Sequence, residues 1–114
     1  MTVKGFHIMA DLHGCKPGSL GKSSSLRQAL FKAADKAGFT VLGEKFHQFK
    51  PAGATGFLLL AQSHISAHSW PEHDFIAIDI YSCSGKEKAM KALEECISEF
   101  EPKKKDIRAI DRFL

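Results

Sequence analysis

Residues 58–74, LLLAQSHISAHSWPEHD, gather three serines (Ser63, Ser66, Ser69) and three histidines (His64, His68, His73) around a Trp-Pro-Glu step. Serine supplies a nucleophile, and imidazole supplies a base that titrates near neutral pH. Four chemistries fit such a stretch. A solvated connection between strands needs nothing from its side chains. A metal site would use His64 and His68, which share a face if the segment is helical. The segment lies between apolar runs, however, carries β-branched Ile65 and lacks the glutamate of an HExxH helix. A Ser-His pair of the hydrolase kind would want a GxSxG elbow, which is absent. In the fourth reading, a serine close to an imidazole attacks the peptide bond before it. Only Gln62 separates Ser63 from an apolar run, so Ser63 stands at a strand end. Trp70 is held extended by Pro71. The bond between Gln62 and Ser63 is the one exposed to that attack.

The elements that must position these residues follow from periodicity. GFHIMADLHG has strand composition and leads into a Gly/Pro/Ser-rich connection. From Ser24 or Ser25 a helix is predicted, with Leu26, Leu30, Ala33, Ala34 and Ala37 on one face and Gly38 as its left-handed cap. FTVLGEKFHQF and TGFLLLAQS are strands joined by a PAGA turn, and FIAIDIYSC is a fourth. A second helix is predicted from about Gly85, buried along Ala89, Leu93, Cys96, Ile97 and Phe100 and stopped by Pro102. DIRAIDRFL reads as a short last strand. The order βαβββαβ predicts an α+β two-layer sandwich, an antiparallel sheet with both helices on one face. Phe75, Ala77 and Tyr81 alternate with isoleucines, so the other sheet face also needs cover, which a second copy of the chain would give.

At 114 residues the chain is expected to be one domain, residues 1–114, with room for a core of its own. Its net charge of +3 is dispersed, and the Lys103-Lys104-Lys105 cluster reads as a solvated turn, so no nucleic-acid partner is expected. No apolar run approaches the ~18 residues of a membrane span. The three cysteines (Cys15, Cys83, Cys96) lack CxxC spacing, and neither a disulfide framework nor a zinc site is expected. A reducing cytoplasm is the expected compartment.

Several motifs together resemble one family. SHISAHSWPE resembles the SHxSxHTWPE signature of bacterial and archaeal S-adenosylmethionine decarboxylase proenzymes. FHQFKPAGATG is similar to that family's FHKFxPxGVSG, IAIDIYSCSG to its AAxDxFTCG, and GFHIMADLHGC to its GRHxxxELYGC. The spacing agrees without gaps from about residue 5 to residue 96. The resemblance implies self-cleavage into residues 1–62 and 63–114, with Ser63 converted into a covalent pyruvoyl cofactor that forms a Schiff base with substrate. It implies His68 as the base in processing, Thr55 as its support, and Cys83 as the proton donor during decarboxylation. A thiol is largely protonated at neutral pH, which suits a donor. Phe49 and Glu72 are implied as contacts to the substrate's nucleoside. The product, decarboxylated S-adenosylmethionine, would serve spermidine and hence polyamine synthesis, and the processed protomers would pair as a homodimer. Gln62 stands where the family has Glu, Phe6 where Arg is common, His13 where Tyr is common and Lys16 where an acid is common. Arginine or ornithine is the alternative substrate, and an uncleaved ligand-binding homologue is the alternative of another kind.

Overall fold

The computed structural model describes residues 2–114. Six strands and two main helices follow in the order β1 (Val3–His13), α1 (Ser23–Ala37), β2 (Val41–Gln48), β3 (Ala54–Leu60), β4 (Ser63–Trp70), β5 (Phe75–Ser82), α2 (Lys86–Phe100) and β6 (Lys104–Phe113). The strands form one antiparallel sheet in the order β2-β3-β4-β5-β1-β6. Both helices cover the same face, α1 against β2 and β3, α2 against β5 and β1. The expected two-layer α+β sandwich is therefore present, with one strand more than the sequence pattern implied.

That extra strand is β4, the segment read above as a connection. Its pattern has the period of a strand. Ile65, Ala67 and Ser69 point to the helices and are buried, while His64, Ser66, His68 and Trp70 take the other face. The pattern was masked because Ser69 occupies an inward position. Its hydroxyl is satisfied there by donating to the Leu20 carbonyl at 2.8 Å and accepting the Ala54 amide at 3.0 Å. A buried hydroxyl with both roles filled costs little, so Ser69 holds structure.

α1 buries Leu26, Ala29, Leu30, Ala33, Ala34 and Ala37, and Gly38 ends it at φ 81°, its amide returning to the last turn. α2 buries Ala89, Ala92, Leu93, Cys96 and Phe100 on the same core as Ile8, Leu58, Ile65, Ile78 and Ile80. Burial pushes the Cys96 thiol up to about 12 and the Cys15 thiol up to about 11, the latter helped by Asp74. Both are inert packing groups.

The lysine cluster departs from the expected turn. Only Lys103 is in the connection, donating its amide to the His13 carbonyl at 2.9 Å, while Lys104 and Lys105 begin a ten-residue edge strand. Charges along β6 (Lys104, Lys105, Asp106, Arg108, Asp111, Arg112) protect an edge that would otherwise template pairing with another chain.

Helices leave the second sheet face uncovered. Thr55, Phe57 and Leu59 of β3, the outward residues of β4, Asp79 and Tyr81 of β5, and His7 of β1 lie there in register. Phe57, Leu59, Trp70 and Ile110 are exposed on it. The expectation that Phe75, Ala77 and Tyr81 need cover matches this geometry.

Candidate active site

The chemistry-bearing residues fall into two groups at opposite ends of β4. At its C-terminal end, Thr55 and His68 are cross-strand partners, and Thr55 Oγ1 lies 2.9 Å from His68 Nδ1. With its ring proton on Nδ1, His68 would donate to the Thr55 hydroxyl and leave Nε2 free to take a proton. The contact fixes ring orientation; a hydroxyl both donates and accepts, so either tautomer makes it. A cavity of about 330 Å³ opens beside them, lined by Phe49, Lys50, Thr55, His68, Trp70 and Glu72 among others. Gln48 shapes its rim. Its side-chain amide donates to the Gly21, Phe49 and Gly53 carbonyls while its oxygen accepts the Ser23 amide, tying the 49–53 turn to the start of α1. At Gly53 (φ 102°) a side chain would meet Pro71 and the Ser69 carbonyl at 3.2 Å, so this turn lies directly on the Trp70-Pro71-Glu72 step. Phe49 and Glu72 are thereby brought to one cavity from segments more than twenty residues apart.

At the N-terminal end, residues 61 and 62 form the two-residue link between β3 and β4, since Leu60 pairs with Ser63. Ser63 Oγ is buried and has no hydrogen-bond partner among the described residues. The carbonyl oxygen of Gln62, half of the bond in question, accepts the Cys83 backbone amide at 3.0 Å. Ser63 also pairs with Ser82 across β4 and β5, so Cys83 lies just beyond the strand end beside the bond. Cys83 is exposed, and its nearness pushes the Tyr81 phenol up. Tyr81 itself lies over Gly5, where no side chain would fit. Gln62, Ser63 and Cys83, expected together, are together.

His68 is not with them. It is five residues along the same strand, ~17 Å away. A single chain therefore does not bring this base to this serine. His64 and His68 do share a face, but four strand residues separate them by ~13 Å, too far to bind one ion.

His64 was singled out above only as a possible ligand. Its ring stacks on Tyr81 at 6.0 Å and meets His7 edge-on at 6.4 Å, and Asp79 faces the same cluster. Burial, reinforced by His7 and partly offset by Asp79, holds His64 below its ordinary 6.5. The unfolded chain thus binds the proton better. His64 favours folding fully above pH 6.5, and that contribution is lost as pH falls through the lowered folded value. Urea midpoints measured at pH 7.5, 6.5 and 5.5 are expected to fall with acidification, and His64→Gln should flatten the slope. An unchanged slope would contradict the burial argument.

Known proteins share this fold and much of this sequence. The family described as S-adenosylmethionine decarboxylase matches residues 6–113. An S-adenosylmethionine decarboxylase proenzyme of Persephonella marina is 45% identical over 108 residues, covering 95% of this chain and 81% of that protein. One from Archaeoglobus fulgidus is 36% identical over 110 residues, covering 96% and 98%. The crystal structure of the adenosylmethionine decarboxylase from Aquifex aeolicus superposes with a TM-score of 0.95 at 36% identity, covering 100% of this chain and 94% of that one. The fold and the matched sequence define a carboxy-lyase of two-layer α+β architecture. The chain belongs to the S-adenosylmethionine decarboxylase family.

Proposed function

We propose that the chain is a proenzyme that cleaves itself between Gln62 and Ser63 and then decarboxylates S-adenosylmethionine. The observation that carries this reading is the pairing of an unpartnered, buried Ser63 Oγ with a Gln62 carbonyl already held by the Cys83 amide. Ser63 Oγ adds to that carbonyl carbon, a C–O bond forms, the C–N bond breaks, and the hydroxyl proton ends on the freed Ser63 amine. Charge gathers on the Gln62 oxygen during attack, where the Cys83 N–H stands as an oxyanion donor. A base then takes the Ser63 Cα proton. The Cβ–O bond breaks, Gln62 leaves as a carboxylate, and the enamine left at residue 63 tautomerises to an imine that water hydrolyses to the pyruvoyl ketone, releasing ammonia.

His68 is the base, supplied by a second copy of the chain. The uncovered sheet face, with Phe57, Leu59, Trp70 and Ile110 exposed, is the surface for that copy. Sheets stack ~10 Å apart. A two-fold axis crossing β4 near Ser66, between the sheets, runs the two β4 strands antiparallel and brings each His68 to the other protomer's Ser63 end. The product is a homodimer with two composite sites.

A pyruvoyl group formed from Ser63 would be held covalently at residue 63 and would supply an electron sink for decarboxylation of an α-amino acid. Cys83, beside residue 63 and exposed, returns a proton to the substrate carbon. Phe49 offers its ring to adenine and to the sulfonium charge, and Glu72 accepts from ribose hydroxyls. No helix among the described residues is long and apolar enough to cross a membrane. A cytoplasmic enzyme making an aminopropyl donor for spermidine accords with the family.

Carboxyl-labelled S-adenosylmethionine, arginine and ornithine offered to the processed enzyme test the reading. Release is expected from S-adenosylmethionine alone. Phe49→Ala should raise KM ~5–30-fold, the loss of ~1–2 kcal/mol of aromatic contact. Cys83→Ser should lower kcat ~10²-fold or more, since a hydroxyl is a poorer acid. A preference for arginine or ornithine would overturn the substrate assignment, and release from none of the three would leave a ligand-binding homologue.

A further inference from the structure

The connection from β5 to α2 is built around a buried hydroxyl, that of Ser82. Ser82 is 1% exposed. Its Oγ accepts the Ser84 amide at 3.1 Å and donates to the Gly85 carbonyl at 3.1 Å, so one side chain closes the turn formed by residues 82–85. Such a serine turn fixes the direction of the amides inside it. The amide so fixed is that of Cys83, and it points at the Gln62 carbonyl at 3.0 Å. One residue on, Ser84 Oγ donates to Gln62 Oε1 at 3.1 Å. One short loop thus grips residue 62 twice, by its main-chain oxygen and by its side chain. Both members of the second contact differ from the family pattern quoted above, which has Glu at position 62 and Gly at the position of Ser84.

We propose that Ser82 and Ser84 are positioning residues for self-cleavage: Ser82 aims the Cys83 amide at the carbonyl that is attacked, and Ser84 clamps the Gln62 side chain so that this carbonyl stays within reach of Ser63. The inference rests on the processing reading and deepens it. The acyl shift turns a planar carbonyl into a tetrahedral centre whose oxygen carries charge. A donor already placed on that oxygen needs no reorganisation as the charge appears. The Gln62 amide, unlike a carboxylate, also puts no like charge beside the forming oxyanion. Ser82 retains a role after cleavage, because the loop it closes also carries the Cys83 thiol. Ser84 acts on Gln62, which by then is a chain end.

The test follows full-length wild type, Ser63→Ala, Ser84→Ala, Ser84→Thr, Ser82→Ala and Ser82→Thr through processing. Intact mass gives cleavage, and hydroxylamine trapping gives the ester that precedes it. Ser84→Ala should slow ester formation ~3–10-fold, the effect of one hydrogen bond, without slowing ester elimination, and Ser84→Thr should restore the rate. Ser82→Ala should slow ester formation ~10²-fold, as expected for a displaced oxyanion donor. Once processed it should also accumulate N-terminal alanine during turnover: with the thiol no longer aimed at the substrate carbon, the proton goes to the carbon of residue 63, and hydrolysis frees the substrate as an aldehyde and leaves the amine on the chain end. Ser82→Thr should correct both defects. Should Ser82→Ala fold poorly by thermal melting, Ser84→Ala and the two threonine variants still decide. Wild type that cleaves alongside a Ser84→Ala chain of equal rate overturns this proposal and leaves the processing reading standing. Wild type that never cleaves overturns both.

Discussion

Ser63→Ala is expected to remain one polypeptide of 12.6 kDa under conditions in which the wild-type chain resolves into residues 1–62 and 63–114. The effect is all or none, because alanine has neither the oxygen that attacks Gln62 nor the Cβ–O bond whose loss releases the new terminus. Stability should move the other way or not at all. Ser63 Oγ is buried without a partner, so its removal deletes an unpaid desolvation cost of ~1 kcal/mol rather than a bond. A serine kept in that state is a local rule broken where chemistry occurs. Melting temperature and intact mass, read on the same samples, separate a chain that cannot react from one that cannot fold. If Ser63→Ala still cleaved, the nucleophile would be another residue.

The second large effect concerns His68. Alone, His68→Ala should stall every chain, because the base that follows the acyl shift is missing from both composite sites. Ester should accumulate there and yield to hydroxylamine. General base catalysis contributes ~10²–10⁴-fold, so the stall should last for days where wild type takes hours. Thr55→Val should give a weaker version of the same defect, since the ring keeps its place on β4 but loses the 2.9 Å contact at Nδ1 that orients it.

Much of this was legible in the residues, and the rest has identifiable physical causes. The helices announced themselves through Leu26, Leu30 and Ala33 and through Ala89, Leu93 and Cys96, because apolar periodicity at 3.6 is hard to mistake over four turns. β5 did so through Ile76, Ile78 and Ile80. β4 hid because its inward residues grow smaller and more polar along the strand, from Ile65 to Ala67 to Ser69. Ser69 is tolerated only through partners at Leu20 and Ala54, which no local window contains. The meeting of Gln62 with Cys83 spans twenty-one residues and depends on β4 pairing with β5. Family motifs named both residues, but neither spacing nor composition placed one against the other. The separation of His68 from Ser63 was invisible for the same reason. Five residues apart looks close in a loop and is ~17 Å in a strand. Ser82 and Ser84 carried no signal, since a serine closing a turn reads like any other.

Co-expression of differently tagged His68→Ala and Ser63→Ala chains tests the composite site most directly. In the mixed dimer one site pairs the intact Ser63 of the first chain with the intact His68 of the second, and the other site has neither. The account predicts that the His68→Ala chain is cut at Gln62 in the mixed dimer, that the Ser63→Ala chain stays whole, and that neither chain is cut when expressed alone. Intact-mass measurement on dimers purified through both tags reads all three at once. A doubly tagged dimer in which the His68→Ala chain stays whole would contradict the account, as would a His68→Ala chain that cuts itself without a partner.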